Sequence, residues 1–354
     1  MSKPIVLHLG DPVKWNQEVY EKEFCPRFHI VRNKDLDRES FVKALKEKKY
    51  GDFSAIFRPD FHTGGEMGRW DEELIPLLPP SVRIFASAGA GFNWADVDLL
   101  GEHGVWYANG AGASDEAVSD TCIYMILSVF RNFTRAQLAA RTTDPAQFSA
   151  AHNTLATISH NPHGHVLGIV GFGRISKKLA YKARIALGMK IHYFDIVRAS
   201  PEEEESLDAT FHESLDDLFS VSDCVSLHTP LNKRTRDLIN SDNIFRMKPG
   251  SRLINTARGP VVEEQALIDA LRSGHLSAAG LDVHYHEPQV SPELAKMDNV
   301  TLTTHIGGGA LETRIDFELL AMRNIMQVVG PNGEYAREPL TPVNAHAFQK
   351  THDA

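Results

Sequence analysis

The sequence predicts an α/β protein built on doubly wound parallel sheets, and three observations point to it. Short apolar runs alternate with helical patterns along the chain. Several runs stop at glycine-rich turns, notably Ala88-Gly89-Ala90-Gly91 and Asn109-Gly110-Ala111-Gly112. A strand-turn-helix-strand unit occupies the stretch from Gly164 to Asp195. With 354 residues, the chain has room for two domains with sizeable cores.

In the N-terminal part, strands are expected at Pro4–Leu9, Phe28–Val31, Ala55–Phe57, Val82–Ser87 and Val105–Ala108. Helices are expected at Val13–Phe24, Ser40–Lys48 and Asp96–Leu100. Ligands of such a sheet sit beyond the carboxyl ends of its strands, where the turn at 88–91 lies. Its bare N–H groups suit a carboxylate, and on local grounds it is equally a tight turn into the next helix.

Ser114 and Asp115 read as helix caps, and Ala117–Phe133 as a helix that is apolar around most of its circumference. Such a helix needs cover on more than one side, inside the monomer or at a subunit interface. Thr142–His165 reads as a connection. His160, His163 and His165 lie near its end, but no carboxylate or cysteine set completes a metal site there.

Val166–Val170 is the apolar strand that opens the central unit. Gly171 allows a tight turn, and Gly173 lets a pyrophosphate approach the backbone. The helical pattern that follows puts Ile175, Leu179, Ala183 and Leu187 on one side, and its N-terminus would offer free N–H groups and positive potential to an anion. Lys190–Phe194 then returns as a strand ending on Asp195, which would bind adenosine ribose hydroxyls and repel a phosphate there. Ser176 stands where the fingerprint has its third glycine, and it is small enough for close packing.

Beyond Asp195, helices are expected to start at Glu202–Glu205 and to run over Ser214–Phe219 and Asp237–Ile244. The strand Cys224–Leu227 is closed by His228-Thr229-Pro230. Three later strand ends each carry a polar residue that an apolar interior would not need: Arg258, Glu287 and His305. In an open sheet all three would face the dinucleotide crevice. Together they suit oxidation of a 2-hydroxy acid. A neutral His305 would take the hydroxyl proton as the hydride leaves, and return it in the reverse direction. An ionised Glu287 on the other ring nitrogen would fix the tautomer and favour the charged imidazole. Arg258 would bind the carboxylate and polarise the carbonyl through its fork of donors. Each residue alone has a plain structural reading, as a helix cap, a surface turn or a strand end; the combination carries the assignment.

The formal charge of −9 argues against a nucleic-acid backbone as partner. Cys25, Cys122 and Cys224 form no pair motif and suit a reducing compartment. No run reaches membrane-spanning length, and no long apolar segment opens the chain. The expectation is a cytoplasmic protein.

The motifs VGFGRI with Asp195, SDCVSLHTPLN, MKPGSRLINTARGPVV, SAAGLDVHYHEP and VTLTTHIGG, in this order, resemble the D-isomer-specific 2-hydroxyacid dehydrogenase family. The phrases YGDFSAI, FASAGAGFNW, ILSVFR, HNPHGHVLG, NTARGP and HEPQVS are similar to its fungal D-mandelate dehydrogenase type. The resemblance implies a Rossmann NAD-binding domain, 112–308, inserted into a flavodoxin-like substrate domain made of 1–111 and 309–354. It implies that Arg258, Glu287 and His305 are catalytic and that Asp282 helps hold the nicotinamide carboxamide. Gly171, Gly173, Arg174, Ile175, Asp195, Thr229, Pro230, Thr256 and Ala257 match the cofactor cleft, and Ala90 and Gly91 match the backbone donors for the substrate carboxylate. It further implies a homodimer formed through the helix after Ser114.

Two features depart from the family pattern. Phe148 to His165 replaces a tryptophan-bearing segment followed by Gly-Lys-Thr, and Arg198 lies near enough to Asp195 to be a candidate for the 2′-phosphate of NADP. The nearer carboxylate favours NAD. Phe57, Phe61, Phe92, Trp94 and Tyr285 are candidates to wall a pocket for an aromatic or branched 2-oxo acid, though packing explains most such residues. Without that wall, glyoxylate or hydroxypyruvate would be the substrate. An NAD-sensing corepressor-like binding protein would also keep the Arg, Glu and His, but no peptide-docking signature follows Val329. Formate dehydrogenases carry glutamine where Glu287 stands.

Overall fold

The computed structural model describes residues 3–35 and 37–349. The chain forms two compact units, the second being Asp115–Gly308 and the first the described residues on either side of it. In the first unit, β1 (Ile5–His8), β2 (His29–Arg32), β3 (Ala55–Arg58), β4 (Ile84–Ser87) and β5 (Trp106–Ala108) make a parallel sheet in the order β2-β1-β3-β4-β5. β3 and β4 are buried along their whole length, which is why they read as continuous apolar runs. The helix Leu311–Val328 covers one face, packing Met322, Ile325 and Val328 against Val6, Ala55, Phe57 and Ile84.

The second unit holds β6 (Val166–Val170), β7 (Lys190–Phe194), β8 (Ala209–Phe211), β9 (Cys224–Leu227), β10 (Ser251–Asn255), β11 (Leu276–Leu281) and β12 (Val300–Leu302). All pairs are parallel, in the order β12-β11-β10-β9-β6-β7-β8. Winding reverses between β6 and β9, so the carboxyl ends of these two strands flank the crevice where such sheets bind ligands. The two strand orders are those of flavodoxin-like and Rossmann sheets. Helix Asp115–Arg131 lies on the second sheet and buries Val118, Cys122, Met125, Ile126, Val129 and Phe130 there. Much of its apolar surface is therefore spent inside the unit.

Three expected elements differ. Of Val13–Phe24, only Gln17–Val19 is α-helical; Tyr20–Phe24 winds as a π-helix that places Phe24 against Phe28 and Phe57. Asp237–Ile244 is a set of turns rather than a helix, because Asn240 and Asn243 take up local backbone groups through their side chains. Thr142–His165 is no simple connection: Pro145–Ile158 is a helix, capped by Asp144 with Pro145 in its first turn. Neither this helix nor its predecessor, Phe133–Arg141, buries a residue, and Leu138 and Phe148 are more than half exposed. Among the described residues no helix is long and apolar enough to cross a membrane.

Candidate active site

The crevice between β6 and β9 is shaped first by its backbone. Gly171 ends β6 at φ +91, and a Cβ there would stand 3.0 Å from the His228 carbonyl and 3.2 Å from Thr229 Cγ2. A side chain at 171 would therefore be strained and would crowd the end of β9. Gly173 is the N-cap of helix Arg174–Leu187; no side chain caps it, and a Cβ there would meet nothing within 4 Å. The helix start is thus open to an anion. Thr229 Oγ1 is buried with no hydrogen-bond partner among the described residues, a polar atom that the protein leaves unsatisfied at the same strand end. A bare turn, an uncapped helix start and an orphaned hydroxyl fit a dinucleotide. Thr256 and Ala257 follow β10, where the Thr256 hydroxyl meets Cys122 Sγ at 3.2 Å and the Ala257 N–H donates to Asn255 Oδ1. Ile175 packs into the core, Pro230 is exposed, and Arg174 pairs with Asp115 at 2.9 Å.

At the end of β7, Asp195 accepts from the Phe172 N–H through Oδ2 (2.5 Å) and from the Val197 N–H through Oδ1 (3.1 Å). The carboxylate thereby closes the glycine turn onto its strand. Arg198 is occupied elsewhere. Its Nε and Nη2 donate to the two Glu204 carboxylate oxygens, each at 2.9 Å, and its guanidinium lies over Phe211. Hydrogen bonds from Arg198 and Tyr193 hold the Glu204 carboxyl down at about 2. The candidate cation for a 2′-phosphate is already paired with a carboxylate.

The carboxyl ends of β10, β11 and β12 bring Glu287 and His305 into contact: His305 Nδ1 donates to Glu287 Oε2 at 2.8 Å. The other oxygen, Oε1, accepts from the His284 N–H at 2.9 Å. Partial burial pushes the Glu287 carboxyl up, but these hydrogen bonds and the neighbouring imidazoles outweigh it and leave its pKa below the usual value. Arg258 is largely enclosed; burial works against its charge while Glu287 supports it. Its Nη1 donates to the Ala257 carbonyl at 2.6 Å, and Asn255 ties the turn by donating from Nδ2 to the Arg258 carbonyl at 2.8 Å. Asp282 is 1% exposed and spends both oxygens on the loop before and after His305. Oδ1 accepts from Thr303 Oγ1 (2.6 Å) and the Ile306 N–H (2.8 Å), and Oδ2 from the Gly307 N–H (2.7 Å). Sequence reading missed this clamp and the part of His284, whose mark in the sequence is a polar residue two places after Asp282 and three before Glu287.

In the other unit, the turn after β4 carries Ala90 and Gly91, both half-buried, with the Ala90 carbonyl accepting from Asn109 Nδ2 at 2.7 Å. Of the five aromatic wall candidates, Phe57 is core: it is fully buried against Phe24 and His8. Its place in the middle of a strand covered on both faces explains this. Phe92 and Trp94 are half-buried against Tyr107, Phe61 packs near Phe317, and the Tyr285 hydroxyl donates to Asp237.

A switch-point crevice fit for a dinucleotide, with an imidazole-carboxylate pair and a guanidinium at the neighbouring strand ends, defines a nicotinamide-dependent oxidoreductase. The family model for the D-isomer specific 2-hydroxyacid dehydrogenase NAD binding domain matches residues 123–307. The holo crystal structure of Rhodotorula graminis D-mandelate dehydrogenase is similar with TM-score 0.93 and 47% identity, covering 97% of this chain and 98% of that one. The 4-methyl-2-oxopentanoate reductase A of Aspergillus oryzae is 36% identical over 82% of this chain and 85% of its own length. Glyoxylate reductase 1 of Saccharomyces cerevisiae is 33% identical over 93% and 92%. The chain belongs to the D-isomer specific 2-hydroxyacid dehydrogenases, and its cofactor is NAD.

Proposed function

We propose that this dehydrogenase interconverts D-mandelate and phenylglyoxylate, or a similarly bulky D-2-hydroxy acid and its 2-oxo acid, using Arg258, Glu287 and His305. The observation that carries the assignment is the 2.8 Å hydrogen bond from His305 to Glu287 at adjoining strand ends, with Arg258 in electrostatic reach of the carboxylate. When bound, NAD accepts or supplies the hydride. His305 commits Nδ1 to Glu287, so Nε2 is the nitrogen that takes the hydroxyl proton or returns it. Glu287, ionised in the neutral range, steadies the imidazolium formed in between. Arg258 holds the carboxylate of the acid and draws charge toward the carbonyl oxygen. Gly171, Gly173, Arg174, Ile175, Asp195, Thr229, Pro230, Thr256 and Ala257 form the cofactor cleft of a domain over 112–308. Ala90 and Gly91 keep a proposed part as backbone donors to a carboxylate, in a substrate domain formed by 1–111 and 309–354. For Asp282, the geometry favours clamping the His305 loop over direct contact with the nicotinamide.

The bulky substrate rests on the 47% identity to a D-mandelate dehydrogenase, and the 4-methyl-2-oxopentanoate reductase supports a branched alternative. Glyoxylate or hydroxypyruvate is the second reading, favoured by the glyoxylate reductase relative and by the loss of Phe57 from the wall. Initial rates with phenylglyoxylate, 4-methyl-2-oxopentanoate, glyoxylate and hydroxypyruvate, each with NADH and NADPH, test it. Phenylglyoxylate or the branched acid should give the highest kcat/KM; glyoxylate leading the series would overturn the bulky assignment. NADH should lead NADPH, and a tenfold advantage for NADPH, about 1.4 kcal/mol, would sink the role of Asp195. Binding of NADH with no turnover of any acid would turn the reading toward a sensor.

We also infer a homodimer in the cytoplasm, built on the helical stretch from Asp115 to Ile158. Support comes from Leu138, Phe148 and Ile158, apolar side chains that the chain alone leaves exposed. Sedimentation should give about twice the 39.4 kDa chain mass, and a monomer would refute it.

A further inference from the structure

His284 touches every segment that carries a proposed catalytic residue. It is 7% exposed, and a buried imidazole needs partners for its polar atoms. Its N–H donates to Glu287 Oε1 at 2.9 Å, on the carboxylate whose other oxygen receives His305. Its ring Nε2 lies 2.7 Å from the Thr303 carbonyl, which can only accept, so Nε2 carries the proton. Its own carbonyl lies against the residue after Arg258: a Cβ on Gly259 would stand 1.9 Å from that oxygen. Three pieces of chain, 256–259, 284–287 and 303–307, therefore meet on one residue.

The third piece is the one that needs holding. His305 sits at φ +55, in the left-handed region, which is strained for a non-glycine residue. The contacts to Asp282 restrain this loop through its donors: the N–H groups of His305, Ile306 and Gly307 and the Thr303 hydroxyl. The Thr303 carbonyl, two residues before His305, is restrained by the His284 ring. We infer that the His284 side chain is a positioning residue, setting the His305 imidazole against Glu287 for proton transfer by holding the Thr303 carbonyl. The inference rests on the reading of His305 as the acid/base. Without the Nε2 donor the loop pivots on its Asp282 side, and the imidazole loses its alignment while the cofactor crevice at β6 and β9 is untouched.

His284→Gln keeps an N–H donor near the position of Nε2; His284→Asn, one methylene shorter, places its amide near Nδ1 and leaves the Thr303 carbonyl unmet. His284→Phe removes the donor and keeps a ring. In the full-length enzyme, kcat and KM for the preferred 2-oxo acid and the Kd for NADH are measured for all three, with His305→Ala as reference. The Phe and Asn variants should lose about tenfold or more in kcat with NADH affinity within about twofold, and Gln should recover most of the loss. If Phe does not fold, the Gln and Asn pair gives the same comparison. Kcat within twofold of wild type in Asn and Phe overturns the inference, as does equal impairment of Gln and Asn or a loss of NADH affinity as large as the loss of kcat. An active His305→Ala would instead strike the acid/base reading itself; an inactive one beside a fully active His284→Asn strikes only the positioning role.

Discussion

Replacing His305 with alanine is expected to lower kcat for 2-oxo acid reduction by about a thousandfold, within the range for loss of a general acid, and to leave NADH affinity within about twofold. The split follows from where the contacts lie. The features that fit the dinucleotide, namely the Gly171 turn, the uncapped helix start at Gly173 and the orphaned Thr229 hydroxyl, all belong to β6, β9 and the helix after β6. None involves His305, which stands beyond β12 and whose ring reaches Glu287. Removing the imidazole also takes away one of the hydrogen bonds that keep the Glu287 pKa low, so the carboxyl left behind titrates higher, and it is the group to which a residual rate would be traced. Titration of NADH fluorescence and steady-state rates separate the two effects. A variant that keeps a tenth of the wild-type kcat would mean that some other group delivers the proton.

How far the sequence carried this picture depends on whether an element is set locally or by its neighbours. β6 and β9 lie at the bounds read from their apolar runs, because strands covered on both faces have no polar register to obscure them, and β7 lies at the bounds of its alternating run. Glu287 and His305 could be paired in advance because both follow strands that end at the crevice and, together with Arg258, make a combination that their separate structural readings do not explain. The helix Pro145–Ile158 was illegible for the opposite reason. It buries nothing within its own chain, so its apolar residues follow no inward stripe, and only the Asp144-Pro145 start marks it. Phe57 was misplaced because position along a strand does not say which of two covered faces a ring enters. The Asp282 clamp depends on the left-handed backbone of His305, a conformation that no residue spacing encodes.

Arg258→Lys, which keeps the charge, is expected to lower kcat/KM by about a hundredfold, roughly 2.7 kcal/mol of transition-state stabilisation. A guanidinium can hold a planar carboxylate with two parallel donors and still polarise the adjoining carbonyl; an ammonium is a single point and cannot span both. The local structure sharpens the difference. Arg258 is held by its own turn, with Nη1 donating to the Ala257 carbonyl and the Arg258 carbonyl accepting from Asn255, so the fork is aimed before substrate arrives. A lysine would lack that second donor direction, and the burial that already works against charge at this position would drive an amine toward its neutral form more readily. How the loss divides between constants tells which job matters. A rise in KM with unchanged kcat would assign Arg258 to holding the carboxylate alone, whereas an equal fall in kcat and kcat/KM would assign it to the carbonyl as charge develops. The expected result is both: a higher KM for every acid in the panel, since all share the carboxylate, and a lower kcat. A lysine variant within about threefold of wild type in kcat/KM would remove Arg258 from the chemistry.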